Sequence, residues 1–290
     1  MITLSTLKQD LEFSRGLGDI IDVLKTTALA QFRSLQLREK INEEFVNDIE
    51  SCFSTLRLIR SNINHPYFFA REGKARAIVV VASDEGFLGG LTTSLVNAGL
   101  DQRASAEDEI IVLGERGARY LEDVNADFTL FPGITDEINY KEVEDLRDYL
   151  INGYRKGYKE IVIVYPEFIS LSSQKITTFR MLPYQGYNRA KGPVRALPEE
   201  VMVEPSFGSV LEVLVELWMG VKLLEIFWSS KQSECAARIM HLEGSTQELT
   251  QLNRKLTFEY FRQVHSLSDK TIREISVSRN LLIKSKTNIG

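Results

Sequence analysis

Apolar positions change period twice along the chain. Over the first 65 residues they recur every three or four places. Phe13, Leu17, Ile20 and Leu24 share one helical face, and Ile41, Phe45, Ile49, Cys52 or Phe53, Leu56, Ile59 and Ile63 repeat the spacing. From residue 206 the same period returns. Leu211, Leu214, Trp218 and Val221 form one stripe, which Cys235, Ile239, Leu242, Leu249, Leu252, Leu256 and Tyr260 continue. Between these stretches the pattern breaks into short apolar runs. Ala77–Ala82, Glu109–Leu113, Ala126–Phe131, Glu160–Tyr165 and Lys175–Tyr184 predict strands, and Leu91–Leu100, Glu115–Leu121 and Tyr140–Asn152 predict helices. Runs apolar on both faces suit a mostly parallel sheet covered by helices.

Proline and glycine sharpen the boundaries. All seven prolines lie between Pro66 and Pro205, and twelve of the eighteen glycines between Gly73 and Gly192. Proline lacks the N–H donor and clashes with the preceding helical turn, so the flanks are helical and the middle is not. Asn64-His65-Pro66 ends the front helix, and Ser206 after Pro205 supplies a cap for the rear one. Gly16 and Gly18 mark close packing or a local irregularity. Three units follow: a shaft helix over 1–65, an α/β domain over 66–205 and a second shaft helix over 206–290. At about 1.5 Å per residue the flanking helices would be about 90 and 120 Å long. A compact middle domain has a radius of gyration of only about 14 Å and leaves them uncovered. The predicted fold is therefore a long antiparallel N- and C-terminal helical coiled coil with an inserted Rossmann-like α/β domain. Residues 166–205 are the least legible, with Gln185–Pro198 expected as a loop.

Composition narrows the function by exclusion. No apolar run reaches the roughly 18 residues of a membrane span. The start has no basic or apolar leader pattern, and its early acidic residues argue against a transit peptide. Cys52 and Cys235 are read as buried thiols rather than a disulfide framework, and His65, His241 and His265 lack ligand spacing. Net charge is −5, yet Arg254–Lys286 holds eight basic against three acidic side chains. On an acidic body this suits a helix face meeting a protein partner better than nucleic acid.

Two strand-to-helix turns invite a nucleotide reading: Ser83-Asp84-Glu85-Gly86-Phe87-Leu88-Gly89-Gly90 and Gly114-Glu115-Arg116-Gly117. Neither completes a phosphate-binding glycine pattern, and Asp84 and Glu85 would repel a phosphate at the next helix N-terminus. Asp123 and Asp127 have no acid, base or metal pattern around them. No catalytic, cofactor-binding or metal residue is assigned.

These stretches carry a resemblance over nearly the whole chain. The first turn resembles the Ser-Asp-Arg-Gly-Leu-Cys-Gly-Gly turn of the gamma subunit of F-type ATP synthases. Ser233-Glu234-Cys235-Ala236-Ala237-Arg238-Ile239 resembles that family's Ser-Glu-x-Ala-Ala-Arg-Met, and His65-Pro66-Tyr67, Glu204-Pro205-Ser206, Tyr260 and Glu274-Ile275 fall in matching order. The resemblance implies a central rotor stalk, a non-catalytic subunit of a proton- or sodium-translocating ATP synthase. Its implied partners are alpha and beta subunits, an epsilon-type subunit and the membrane c-ring. Its implied place is the cytoplasmic face of a bacterial or archaeal cell membrane, held there by other subunits without direct insertion. Arg238 takes the position of an arginine that contacts a beta subunit; a solvated helix arginine is the alternative. Asp19, Asp22, His265, Asp269 and Glu274 are the other candidate partner contacts. Departures are concentrated in the shaft: Asp19 and Asp22 replace lysines, Val264-His265 and Ser268-Asp269 replace Arg-Gln and Ile-Thr, and the terminal Gly-Ala run is absent. Leu17-Gly18-Asp19-Ile20 and His241-Leu242-Glu243-Gly244 are similar to alternate, N-type ATPases. The chloroplast-type cysteine-bearing insert is not evident. A non-rotary coiled-coil scaffold and a nucleotide-binding α/β enzyme are the competing functions.

Overall fold

A computed structural model describes residues 3–38, 42–59, 65–68, 75–184 and 203–287. Ile41, Ile63, Asn64 and the Gln185–Pro198 loop lie outside them. Eleven elements follow in order: helices α1 (Leu4–Arg38) and α2 (Asn42–Ile59), strand β1 (Arg76–Val81), α3 (Leu91–Asp101), β2 (Glu109–Leu113), α4 (Glu115–Asp123), β3 (Thr129–Phe131), α5 (Tyr140–Lys156), β4 (Glu160–Ser170), β5 (Ser173–Leu182) and α6 (Phe207–Thr287). The fold is mixed α/β, with long N- and C-terminal helices and a central sheet. Its contacts separate into two compact units, Met1–Thr26 with Leu242–Gly290, and Thr27–His241.

In the larger unit the strand order is β3-β2-β1-β4-β5. β1 pairs in parallel with β2 and β4, β2 with β3, and only β5 runs antiparallel, against β4. The order reverses at β1, so its two faces are covered by different helices. Ile78, Val80, Ile110 and Val112 pack with Leu95 and Val96 of α3 and Leu121 of α4. Val79, Val81, Ile111 and Ile163 face the opposite way, toward Leu146 and Leu150 of α5 and Leu211, Trp218, Leu223 and Phe227 of α6. The alternation along β1 is thus buried on both sides, as its unbroken apolar run requires.

The proline-free front is described as two helical stretches, α1 and α2, with residues 39–41 outside the described residues. Ile49, Phe53 and Leu56 of α2 enter the core beside Tyr184 and Phe68, with the Phe53 and Tyr184 rings stacked 4.7 Å apart. One expectation for the front needs correction: the stripe predicted on α1 is not its seam. Phe13 is 75% exposed and Ile20 58%, while Leu7 and Ser14 are buried. In the smaller unit the seam of α1 follows Leu4, Leu7, Leu11, Ser14, Gly18, Ile21 and Lys25, a strict alternation of three and four. It meets Leu242, Thr246, Leu249, Asn253, Leu256 and Tyr260 of α6, with Asn253 replacing the predicted Leu252, which is exposed.

Two contacts set that pairing as antiparallel. Lys25 Nζ lies 3.2 Å from Glu243 Oε2, and a Cβ on Gly18 would sit 3.4 Å from Leu249 Cδ2. The same register places Ser14 opposite Asn253. Ser14 Oγ and Asn253 Oδ1 are both buried and without a hydrogen-bond partner. Cys52, read as buried, is exposed; only Cys235 is buried.

Candidate functional site

Where a doubly wound sheet reverses its order, the crevice beyond the carboxyl ends of the strands normally takes the ligand. Here that crevice lies between β1 and β4, and helix α6 fills it. Ser233 Oγ donates to the Pro166 carbonyl at 2.9 Å, and Ser229 Oγ accepts the Phe168 N–H at 3.1 Å, both on β4. On the β1 side, Ser83 Oγ donates to Glu234 Oε2 at 2.9 Å and accepts the Glu85 N–H at 3.0 Å.

The second glycine turn is occupied by one of the chain's own carboxylates. Asp84 Oδ1 accepts the Glu115 N–H at 2.6 Å, at the start of α4, and the Asp84 carbonyl accepts from Arg116 Nε at 3.3 Å. An anion already stands where the helix N-terminus would attract a phosphate. Gly114 makes this approach possible. Its φ is +97°, and a Cβ there would lie 2.8 Å from the Ser83 carbonyl carbon.

Glu85 points the other way, into a charged cluster. Lys231 Nζ lies 3.1 Å from Glu85 Oε1, 3.4 Å from Asp136 Oδ1 and 3.4 Å from Glu234 Oε2, and donates to the Ile134 carbonyl at 3.0 Å. Arg238 forms an ion pair with Glu85, donates Nε–H to the Gly86 carbonyl at 3.3 Å and Nη1–H to Gln31 Oε1 at 3.2 Å. Gln31 closes the circuit through Nε2 to Asp136 Oδ2 at 2.6 Å. Lys231 is 2% exposed and Arg238 6%, so water competes little for these bonds.

Two cations therefore face three carboxylates. Burial pushes Glu234 up to about 7, against the opposing pull of Lys231 and Ser83. Burial disfavours charge on Lys231 too, but Glu234, Glu85 and Asp136 outweigh it and raise its pKa, so it stays cationic. A protonated Glu234 leaves the cluster balanced. The neighbouring Cys235 thiol is pushed up to about 12 by burial and is no nucleophile at neutral pH. Among the described residues no group of three or more His, Cys, Asp or Glu side chains is placed to hold a metal ion. The arrangement joins helix to sheet; it offers no open acid–base pair to a substrate.

The candidate contacts fall in separate places. Arg238 is buried and engaged inside the chain, its fork on Glu85 and Gly86 beside Lys231, two turns earlier, which removes the alternative of a solvated helix arginine. Asp19 and Asp22 are exposed on α1, with Asp22 3.4 Å from Lys25. His265 and Asp269 are exposed and share one face of α6 with Phe258, Phe261, Arg262 and Arg273. Glu274 is exposed, 4.0 Å from Lys270 one turn away. By the pairing register Asp19 stands level with residue 248, about 25 Å along the helix from His265. Lys231, Asp136 and Gln31 were not singled out from sequence. The signal available was that Ser83 and Glu234, 151 residues apart, each sit inside one of the two quoted motifs.

The family model described as ATP synthase matches residues 3–275, nearly the whole chain. The chain belongs to the ATP synthase gamma family. Relatives named ATP synthase gamma chain match end to end. One from Pelotomaculum thermopropionicum is 22% identical over 279 residues, covering 95% of this chain and 97% of its own length. One from Clostridium kluyveri is 26% identical over 280 residues, covering 94% and 95%. Among solved structures, a chain of the Euglena gracilis mitochondrial ATP synthase OSCP/F1/c-ring assembly superposes with a TM-score of 0.68 at 17% identity, covering 98% of this chain and 95% of that one. A chain from the Tetrahymena thermophila mitochondrial ATP synthase central stalk and c-ring gives 0.57 at 17% identity, covering 78% and 99%. At those identities the superpositions establish the fold. Within this ATP synthase gamma fold, the two motifs that carry the resemblance, 83–90 and 233–239, form one cluster.

Proposed function

We propose that this chain is the central stalk of a rotary ATP synthase, coupling ion flow through a membrane ring to ATP synthesis or hydrolysis on other subunits. The observation that carries the reading is the match to gamma chains over almost the full length of both partners. Two structural features support it. The ligand crevice of the sheet is filled by α6, and Asp84 fills the turn before α4, which supports reading the α/β domain as a mount for a helix. The exposed faces of α1 and α6 carry large apolar side chains of the kind that a sleeve of partner subunits covers.

The partners follow from the same reading: a ring of alpha and beta subunits around the helices, and a c-ring and an epsilon-type subunit at the α/β domain. No helix among the described residues is long and apolar enough to cross a membrane; the rotary reading puts the chain at the cytoplasmic face, held there through its complex. The shaft charges belong to this proposal too. Asp19 and Asp22 are solvent-facing and require basic or neutral residues opposite them in the cognate ring, since desolvated like charges repel.

The test is purification of the tagged chain from its own cells. Alpha- and beta-like subunits with ATPase activity should accompany it, and the repurified single chain should release no phosphate from ATP. A chain that comes down alone, or turnover that survives repurification, overturns the reading. A conventional F-type ring with this stalk should couple poorly and recover with Asp19→Lys and Asp22→Lys; equal coupling without the substitutions refutes co-diverged partners.

A further inference from the structure

Helix α6 is attached to the sheet in two zones of different character. From Leu211 to Phe227 the buried contact is apolar, through Leu211, Val215, Trp218, Met219, Leu223 and Phe227, with only solvent-screened pairs at its edge, from Arg155 to Glu212 and Glu216 and from His65 to Glu212. From Ser229 to Arg238 it is polar and directional. We propose that the polar zone is the torsional clasp of the molecule, in which Lys231, Glu234 and Arg238 grip the loop after β1 and fix the angle of α6 on the α/β domain. This rests on the rotary reading above and names the residues through which the domain turns the helix.

The geometry argues for that division. Apolar attraction follows buried area and has no preferred direction, so it holds the helix in place and resists a small rotation weakly. The polar zone grips one short loop from two successive turns. Lys231 and Arg238 stand seven residues apart, about 10 Å along the axis and on nearly the same face, yet both bond Glu85. Between them Glu234 accepts from Ser83, and Arg238 also reaches the Gly86 carbonyl. An arginine fork bonds only in its own plane, so turning the helix breaks several bonds at once.

The loop cannot simply follow. Asp84 ties it to the first turn of α4, and Gly114 packs against Ser83 with no room for a side chain. On the other side Ser233 and Ser229 pin the helix to β4. Buried ion pairs contribute little net stability compared with apolar replacements, and their best attested role is to select one geometry. Placing three buried ionisable groups on two turns of a helix that already has an apolar contact fits that role.

The test uses the assembled complex carrying this chain, with Glu85→Gln, Arg238→Gln and Arg238→Lys, and with the exchanged pair Glu85→Arg and Arg238→Glu. Two quantities are read: ions pumped per ATP hydrolysed, and the angular spread of a probe on the α/β domain while the catalytic ring is stalled. The Gln variants should keep hydrolysing while pumping falls and the spread widens. Arg238→Lys, which keeps the charge without the fork, should fall between, and the exchanged pair should narrow the spread again. Assembled variants with parental pumping and spread overturn the proposal. Failure of every variant to assemble, Arg238→Lys included, also overturns it, because the cluster is then needed only for folding. If the unmodified chain does not assemble with a catalytic ring, it is the rotary reading that fails.

Discussion

Replacing Lys231 with methionine removes the cation at the centre of the cluster while keeping most of its buried stem. Asp136 is half exposed and keeps Gln31, and Glu85 keeps Arg238. Glu234, 2% exposed, is left with Ser83 alone. Breaking a buried pair and stranding its partner costs about 3–5 kcal/mol. Glu234 can escape that cost by keeping a proton. Its pKa is already raised from 4.5 to about 7. The stability linked to that proton is therefore complete below the ordinary carboxylate value and fades as pH rises through about 7. Without Lys231 the pKa climbs further, so the folded variant still holds a proton at pH 8 that the unfolded chain has lost. Relative to the parent, the variant should then lose ~1.4 kcal/mol per pH unit above pH 7. Urea unfolding followed by tryptophan fluorescence measures this, because both tryptophans, Trp218 and Trp228, lie on α6 within the unit that holds the cluster. A destabilisation equal at pH 6 and pH 8, or one below about 1 kcal/mol, would refute the account.

Three further outcomes are expected. Ser14→Ala should stabilise the helical pair by up to about 1–2 kcal/mol, since a buried hydroxyl without a partner is removed; thermal melting at 222 nm reads it, and a lowered midpoint contradicts it. Gly117→Ala should destabilise by about 1–3 kcal/mol, because the new methyl would lie 2.6 Å from Ala82 Cβ and 2.7 Å from Val112 Cγ2; urea unfolding checks this. Glu109→Gln should flatten the acid limb of the stability curve. Burial opposes charge on Glu109, but hydroxyls of Tyr149, Tyr158 and Thr129 outweigh it and hold its pKa below 4.5, so its contribution is present above that value and disappears as pH falls through the depressed one. An unchanged acid limb in the variant contradicts it.

Legibility in the sequence followed how local each cause was. The strands at 77–82, 109–113 and 160–165 were readable because burial on both faces leaves an unbroken apolar run. The seam of α1 was misread because helices that approach closely select small residues. Ser14 and Gly18 lie on it, while Phe13, Leu17 and Ile20, one place over, look more apolar and face out. The charged cluster was the least visible part. Its members come from α1, two loops and α6, and nothing in the spacing of Gln31, Glu85, Asp136 and Lys231 says that they meet. Arg238 was noticed for its place in a motif, and its inward direction needed the loop that it grips.

The outward-facing stripes carry a consequence for the living cell. Phe13, Val23, Phe258 and Ile272 are each more than 60% exposed, and helices so furnished adhere to one another and to chaperones when no partner covers them. An orphan copy is thus a hazard, and its supply has to match that of the subunits which enclose it. Synthesis in step with those subunits, with rapid degradation of any surplus, is what such a surface demands of its host.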